Sequence, residues 1–467
     1  MAEVTIAGSN RKSAKAVYLT ILVYFFWGFA AAGNALLIPI FKTTFRLSQF
    51  QAQLVELSFY MAYFLGSVIY FLFSIKCGDI INRFGAKKGM ITGLCLAAAG
   101  SLIMIPAAAI VSYPLFLLGL FIIGLGFTLQ QIVANPLLVQ MGEPNGGAGR
   151  LLLAGSINSF GNTIAPLLLA TLLFGSVKTV VDINLDSVKI PYIILTACYL
   201  VFALMYFLIF IPKSEKNTIV EKVRFGALSY PQLRYGMIAI FCYVGAEVTL
   251  QSNLPALISS ADIMGLDTNH AAHLFSLFGG SLMVGRCTGA LSNLKLKRSF
   301  YFLLVVVVPF AVYGIVLLAN KIKGSPMSDL YGYIPFIILI IACILLGRRN
   351  PARLLFWAAV SAISVVFLGL FLEGKLAMYC MISSAFFTSL MWPCIFSLAI
   401  LNLKQHTNQA SSLLVMMIVG GAIIPPLQGL ISDLPFVGIH YSFFIPLLCF
   451  TYILYFSIKA RTQVTIS

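Results

Sequence analysis

Three ionisable side chains fall inside long apolar stretches of this chain: Glu56, Glu247 and Arg286. A charge held among apolar residues is costly, so it pairs, faces water or does work, and each acid is a candidate to bind a cation or a proton. Glu247 suits a hydroxyl acceptor, a cation ligand or a protonation site, against the plainer role of a buried structural pair. Glu56 sits near the outer end of its stretch, where the plainer role is a hydrogen-bonded surface acid. Arg286 follows a glycine-rich run and reads as gating or structural, pairing with an acid or capping carbonyls. Amides stand at Asn34, Gln130, Gln131, Asn135 and Asn158. An amide donates and accepts hydrogen bonds in a small space, which answers a neutral ligand whose hydroxyls do both; bonding between helices is the competing use. Gln131 and Asn135 lie four residues apart and so share one helix face. The sequence holds no nucleophile elbow, His-x-Glu pair or phosphate loop, and His270, His273 and Asp267 are too loosely placed for a metal site. Neither an enzyme nor a cofactor is expected.

The elements that hold these residues follow from composition. Of 467 residues, 60% are hydrophobic and 9% charged, with a mean hydropathy of +0.98. So much apolar surface has no soluble core to enter, and its solvent is lipid. A bilayer core of about 30 Å needs roughly 20 apolar residues per helix. Such runs occur near 17–39, 52–76, 89–110, 114–140, 151–174 and 190–212, then near 233–260, 271–294, 300–319, 331–347, 354–372, 376–401, 411–432 and 438–458. The expectation is an all-α polytopic membrane protein of about 14 helices.

The net charge of +16 sits in short loops, so it is a topology signal and not a nucleic-acid footprint. With the N-terminus cytoplasmic, 22 of the 30 basic residues fall inside and 7 outside, with Arg286 in a span. Both ends are then cytoplasmic and the protein sits in the cell inner membrane. The Arg348, Arg349 and Arg353 cluster falls inside only if both weak runs, 331–347 and 354–372, are helices. The first run is read as a retained helix, although Ala30 to Gly33 imitates a cleavage region. Nine scattered cysteines without a CxxC pair are expected to serve packing.

Internal repetition separates the hairpin from the rest. Gly161 to Pro166 and Gly420 to Pro425 share G-x-x-I-x-P at an offset of 259, and Pro136 with Pro393 gives 257. Earlier pairs give less: Pro39 with Pro255 gives 216, and Gly78 with Gly285 gives 207. The jump, roughly 40 to 50 residues, is about the length of 331–372, which predicts two six-helix halves plus one inserted helical hairpin. The expected division is a tail 1–16, a half 17–212, a linker 213–232, a half 233–458 with its hairpin at 331–372, and a tail 459–467.

The loop Gly78-Asp79-Ile80-Ile81-Asn82-Arg83-Phe84-Gly85-Ala86-Lys87-Lys88 resembles the cytoplasmic signature of major-facilitator carriers. Its glycines Gly78 and Gly85 are expected to let helices pack closely, and Arg83 with the lysines to hold the loop inside. Further blocks are similar to the fucose:proton symporter family and, more closely, its glucose/galactose transporter branch. These blocks are Gln131 to Pro136, Tyr243 to Val248, Gly280 to Arg286, Met391 to Ala399 and Ile418 to Pro425. The resemblance implies alternating-access movement of a monosaccharide by a monomer, with Asn34, Gln131, Asn135, Asn158, Tyr243 and Glu247 facing the cavity and Trp392 as a stacking surface. It also implies a coupling ion, Na+ or H+, for which Glu247 and Glu56 are the candidates. Four departures bear on that. Ala35 stands where proton-coupled relatives carry Asp, Gln131 where fucose carriers have a carboxylate although the glucose/galactose branch shows Gln, Glu56 where relatives usually carry Gln, and Leu152 with Gly155 where they often carry amides. An uncoupled facilitator and a non-transporting membrane sensor therefore stay open as alternatives.

Overall fold

Apolar runs with few breaks fold locally into helices because lipid offers the backbone no hydrogen bonds. In the computed structural model the described residues are 15–33, 41, 44–47, 49–141, 146–174, 185–209, 226–260, 263–265, 268–291, 297–322, 327–347, 350–403, 406–434 and 436–466. In chain order the helices are α1 (Lys15–Gly33), α2 (Gln49–Cys77), α3 (Ile80–Phe84), α4 (Ala86–Ala109), α5 (Tyr113–Gln140), α6 (Gly147–Phe174), α7 (Lys189–Leu208), α8 (Pro231–Ser259) and α9 (Thr268–Ala290). There follow α10 (Arg298–Ile322), α11 (Ser328–Tyr331), α12 (Ile334–Gly347), α13 (Pro351–Phe371), α14 (Gly374–Ala399), α15 (Thr407–Met416), α16 (Gly420–Ser432), α17 (Gly438–Ser442) and α18 (Phe444–Ile466). Among the described residues, 11 segments are long and apolar enough to cross a membrane, counting α15 with α16 as one and α17 with most of α18 as one. α6 and α9 are of similar length, and α12 is a shorter apolar helix.

The chain forms two compact units. Unit 1 is 1–141, 157–229 and 402–416; unit 2 is 142–156, 230–401 and 417–467. In unit 1, α4 and α5 pack through glycines. A Cβ on Gly93 would meet the Gly126 carbonyl at 2.8 Å, and one on Gly100 the Gly119 carbonyl at 2.7 Å. Small residues of this kind let helix backbones approach where lipid supplies no hydrophobic drive.

The repeat is visible in the packing. A Cβ on Gly161 of α6 would fall on the carbonyl of Phe25 in α1, and one on Gly420 of α16 would fall on the carbonyl of Phe241 in α8. The two glycines are 259 residues apart and the two phenylalanines 216, the same offsets that separate the sequence pairs. Each half therefore sets its fifth helix against its first at a glycine. The two fifth helices differ in one respect: α6 is continuous, whereas its counterpart breaks into α15 and α16 at a 3-10 turn, Met417–Val419.

α12 and α13 form a helical hairpin within unit 2, where a Cβ on Gly347 would meet Leu354 Cα at 2.6 Å. Tyr333 anchors its entry by hydrogen bonding Ser281 at 2.7 Å, and its ring stacks on Phe386 of α14. His440 of α17 bonds the Gly369 carbonyl at the far end, at 2.8 Å. With α13 along its flank, α14 has 94% of its apolar window buried, against 61% for α5, its counterpart by the proline offset. Of the cysteines, Cys343, Cys380, Cys394 and Cys449 are buried, but Cys77 and Cys95 are exposed, so those two do not serve packing as expected.

Candidate functional site

In unit 1 the polar residues meet where α1, α5 and α6 approach. Gly28 makes this approach possible, since a Cβ there would fall on the Asn158 carbonyl. Asn158 in turn donates from Nδ2 to the Tyr24 carbonyl at 3.1 Å. The Tyr24 hydroxyl donates to Asn135 Oδ1. One turn along α1, Trp27 Nε1 donates to Gln130 Oε1 at 3.0 Å, and the two α1 rings lie 4.1 Å apart. Gln131 points elsewhere and donates to the Tyr63 hydroxyl of α2 at 3.1 Å. Asn135 and Gln131 thus share a helix face yet have different partners. The Nδ2 of Asn135 and the Nε2 of Gln130 are buried and hydrogen-bond to nothing among the described residues. A buried donor left so costs roughly 1–3 kcal/mol, so both groups call for an acceptor. Tyr24, Trp27 and Tyr63 escaped the sequence reading, because aromatic residues in an apolar helix look like core. Their one signal is that Tyr24 and Trp27, three apart, place two polar tips on one face.

In unit 2 the set is charged. The Tyr243 hydroxyl donates to Glu247 Oε2 one helical turn away on α8. Arg286 Nη2 of α9 lies 3.4 Å from Glu247 Oε1, each side chain being 15% exposed. That distance is long for a charge-assisted hydrogen bond, so much of the attraction is plain Coulombic. Gly155 leaves room for the arginine: a Cβ there would meet Arg286 Cδ at 3.4 Å. Trp392 lies 6.1 Å from Tyr243 and stacks on Phe396. It is the one residue of α14 between Ala377 and Ala399 that is not buried.

Asn34 lies outside the described residues. Glu56 falls in α2, but its side chain also lies outside them.

The signature loop is ordered by Asp79, whose Oδ1 accepts from the Ile81 and Asn82 N–H groups at 2.9 and 3.2 Å and from the Tyr70 hydroxyl at 2.7 Å. Burial pushes the Asp79 carboxyl above the ordinary carboxylate range, against the pull of those hydrogen bonds. Gly78 and Gly85 do not serve close packing as the sequence suggested. Nothing lies within 4 Å of a Cβ on either, and their φ values of 79° and 92° show that the requirement is a left-handed backbone. Arg83 is exposed, with its guanidinium 5.8 Å from the Phe84 ring. The sequence reading also missed the segment these residues meet within unit 1. Asn408 of α15 donates to Asn82 Oδ1 at 2.8 Å. Gln409 donates to Ser74 Oγ at 2.9 Å and accepts from the Ala227 N–H at 3.2 Å, tying α15 to α2 and to the turn that ends the linker.

Comparison with known proteins gives this geometry a context. Residues 20–338 match the sequence profile of the Major Facilitator Superfamily. The chain is 31% identical to a glucose/galactose transporter of Brucella abortus over 97% of this chain and 96% of the relative. It is 29% identical to the L-fucose-proton symporter of Escherichia coli, over 98% and 95% of the two chains. A crystal structure of the transporter FucP in an outward conformation superposes with a TM-score of 0.74 at 27% identity, covering 96% of this chain and 99% of that one. The chain therefore belongs to the Major Facilitator Superfamily, a multi-pass transporter in the group that holds the fucose:proton symporters and the glucose/galactose transporters.

Proposed function

We propose that this protein imports a neutral monosaccharide of the glucose, galactose or fucose type across the cell inner membrane by alternating access. On this reading it is a monomer of fourteen spans, the hairpin included, with both termini cytoplasmic. The sugar-binding residues on this reading are Asn34, Gln131, Asn135 and Asn158, and Tyr243, Glu247 and Trp392.

The observation that carries the reading is the donor and acceptor pattern in unit 1. Asn135 keeps a donor, Nδ2, with its own carbonyl oxygen already taken. Gln131 and Asn158 each spend one N–H, on the Tyr63 hydroxyl and the Tyr24 carbonyl, which leaves a carbonyl oxygen to accept and a second N–H to donate. Hydroxyls supply both roles at once, whereas an anion would meet acceptors it cannot use. Trp392 adds an apolar face of the kind that sugar C–H groups cover.

Coupling is assigned to the Glu247–Arg286 pair, with Glu56 the second candidate. A proton or Na+ at Glu247 competes with Arg286 for the same carboxylate, so ion binding and the ion pair exclude one another. The test is uptake of labelled glucose, galactose and fucose into proteoliposomes under separately imposed Na+ and H+ gradients. Accumulation of one sugar under one gradient is expected; no uptake of any sugar with any gradient or none defeats the reading. Equilibration without accumulation would make the protein a facilitator. A Glu247→Gln variant should still exchange sugar while losing accumulation.

A further inference from the structure

The Glu247–Arg286 pair joins two helices whose backbones are held by other contacts. On α9, a Cβ on Gly285 would meet the Phe386 carbonyl of α14 at 2.6 Å, and one on Gly289 would meet Leu390 Cδ2 of α14 at 2.6 Å and Leu152 Cδ1 of α6 at 3.1 Å. On α8, a Cβ on Gly245 would meet Ile424 Cγ1 of α16 at 2.5 Å. Helices packed this closely have little room to slide, so the path of the side chains decides whether the two charges meet. Glu247 is already held from one side, because its Oε2 accepts from the Tyr243 hydroxyl. The arginine has the longer reach to make, and its stem runs past Gly155 of α6.

A Cβ on Gly155 would lie 3.4 Å from Arg286 Cδ, 3.8 Å from Nε and 3.9 Å from Cγ, three consecutive atoms of that stem. These are its three nearest neighbours, and none is backbone. Gly155 therefore differs from Gly285, where a carbonyl of the next helix demands glycine. Its own backbone is ordinary α-helix with no left-handed φ. A glycine in mid-helix is less stable than an alanine, and neither helix packing nor backbone conformation calls for this one. What it leaves open is the space beside the arginine stem. We propose that Gly155 is a positioning residue for the coupling pair: the side chain it lacks is the space along which Arg286 reaches Glu247, so bulk at this position decides whether the carboxylate is paired or released. This role rests on the coupling assigned above to the pair, while its geometric part can be measured apart from transport.

The geometry is tested by thermal unfolding of the full-length protein in detergent, as a mutant cycle. Gly155→Leu should lower the Tm of the wild-type chain, where leucine and the arginine stem compete for one space. It should not lower the Tm of a chain carrying Arg286→Ala with Glu247→Gln, which empties that space without stranding a carboxylate. If Gly155→Leu alone does not fold, folding in the second chain is the same result. An equal drop in both chains, or failure to fold in both, overturns the proposal. The coupling role is tested in proteoliposomes. Gly155→Leu should lose accumulation of sugar under the driving gradient while keeping sugar exchange, which needs the binding site and no gradient; Gly155→Ala, whose methyl sits at ordinary contact distance, should lose less. Accumulation by Gly155→Leu equal to that of the wild type, or loss of exchange along with accumulation, would count against it. A wild type that equilibrates sugar without accumulating it defeats the coupling reading and with it the coupling role of Gly155, whereas the thermal cycle still reports whether Arg286 runs beside this position, so the two failures are told apart.

Discussion

In unit 1 the polar groups that α1, α5 and α6 bring together are all uncharged: Tyr24, Trp27, Gln130, Asn135 and Asn158. In unit 2, α8 and α9 hold a carboxylate and a guanidinium, with Tyr243 bonded to the carboxylate. The difference bears on the roles proposed above. An amide or hydroxyl network can answer hydroxyls and has no net charge to change, which suits it to binding. An ion pair changes its net charge when a cation arrives, which suits it to coupling. The largest expected effect comes from separating its members. Arg286→Gln leaves Glu247 without its cation, at up to about 3 kcal/mol, below the cost for a fully buried pair because both side chains are 15% exposed. The loss should show as lowered Tm and expression, and Glu247→Gln in the same chain should restore stability without restoring accumulation. If the single variant is as stable as the wild type, the pair is not a unit.

A second contrast lies between the two fifth helices. Gly161→Ala and Gly420→Ala each place a methyl on a neighbouring carbonyl, at Phe25 and Phe241. A cost of about 1–3 kcal/mol is expected for each from forced backbone shifts. The two need not be equal, because α15 and α16 are separated by a 3-10 turn beside Gly420 and α6 has none beside Gly161. Turns of this kind within helices mark hinges. Gly420→Ala should therefore be the milder for stability and the more harmful for transport rate. Thermal unfolding and initial uptake rates of the two variants, compared side by side, decide it.

Much of the fold was legible because lipid forces each apolar run into a helix, and because repeat offsets locate an insertion without any coordinates. The hairpin at Ile334–Gly347 and Pro351–Phe371 follows from one jump in offset and three arginines. The site was only half legible. Glu247 and Arg286 announce themselves as charges in apolar runs, but they are 39 residues apart on different helices, and nothing in their spacing says that they meet. Tyr24 and Trp27 were hidden for the opposite reason, since their rings belong equally to a core. Gln409 sits in a polar run at a loop edge and reads as solvated, although its amide holds two segments distant in sequence. Gly78 and Gly85 belong to a motif that was found and misexplained: a sequence shows that glycine is present and does not distinguish a tight contact from a left-handed φ.

The uncharged set should respond more gently than the ion pair. Tyr24→Phe leaves Asn135 with neither of its groups bonded, at roughly 1–3 kcal/mol. Adding Asn135→Leu removes both partners and should recover most of that stability while raising the KM for sugar about tenfold. The unit 1 variants should keep the wild-type dependence on the driving ion. A shift in ion dependence with Tyr24→Phe would mean that the uncharged set of unit 1 takes part in coupling as well.

The smallest effect belongs to Asp79, outside the spans. Asp79→Ala removes the acceptor for the Ile81 and Asn82 N–H groups, the ordinary loss of a helix cap, worth about 1 kcal/mol. Asp79→Asn keeps Oδ1 and discards the charge, so it isolates the cost of burying a carboxylate. Because burial raises this carboxyl's pKa in the folded chain, its contribution to stability is present when it is protonated and is lost as pH rises through the folded value. The wild type should therefore be no more stable than Asp79→Asn near pH 7. The gap should close as pH falls into the ordinary carboxylate range, because the native side chain then becomes neutral as well. Tm measured against pH for the two proteins tests this. Curves that converge as pH rises instead would mean that the hydrogen bonds to Asp79 outweigh its burial, and that the loop is held by charge.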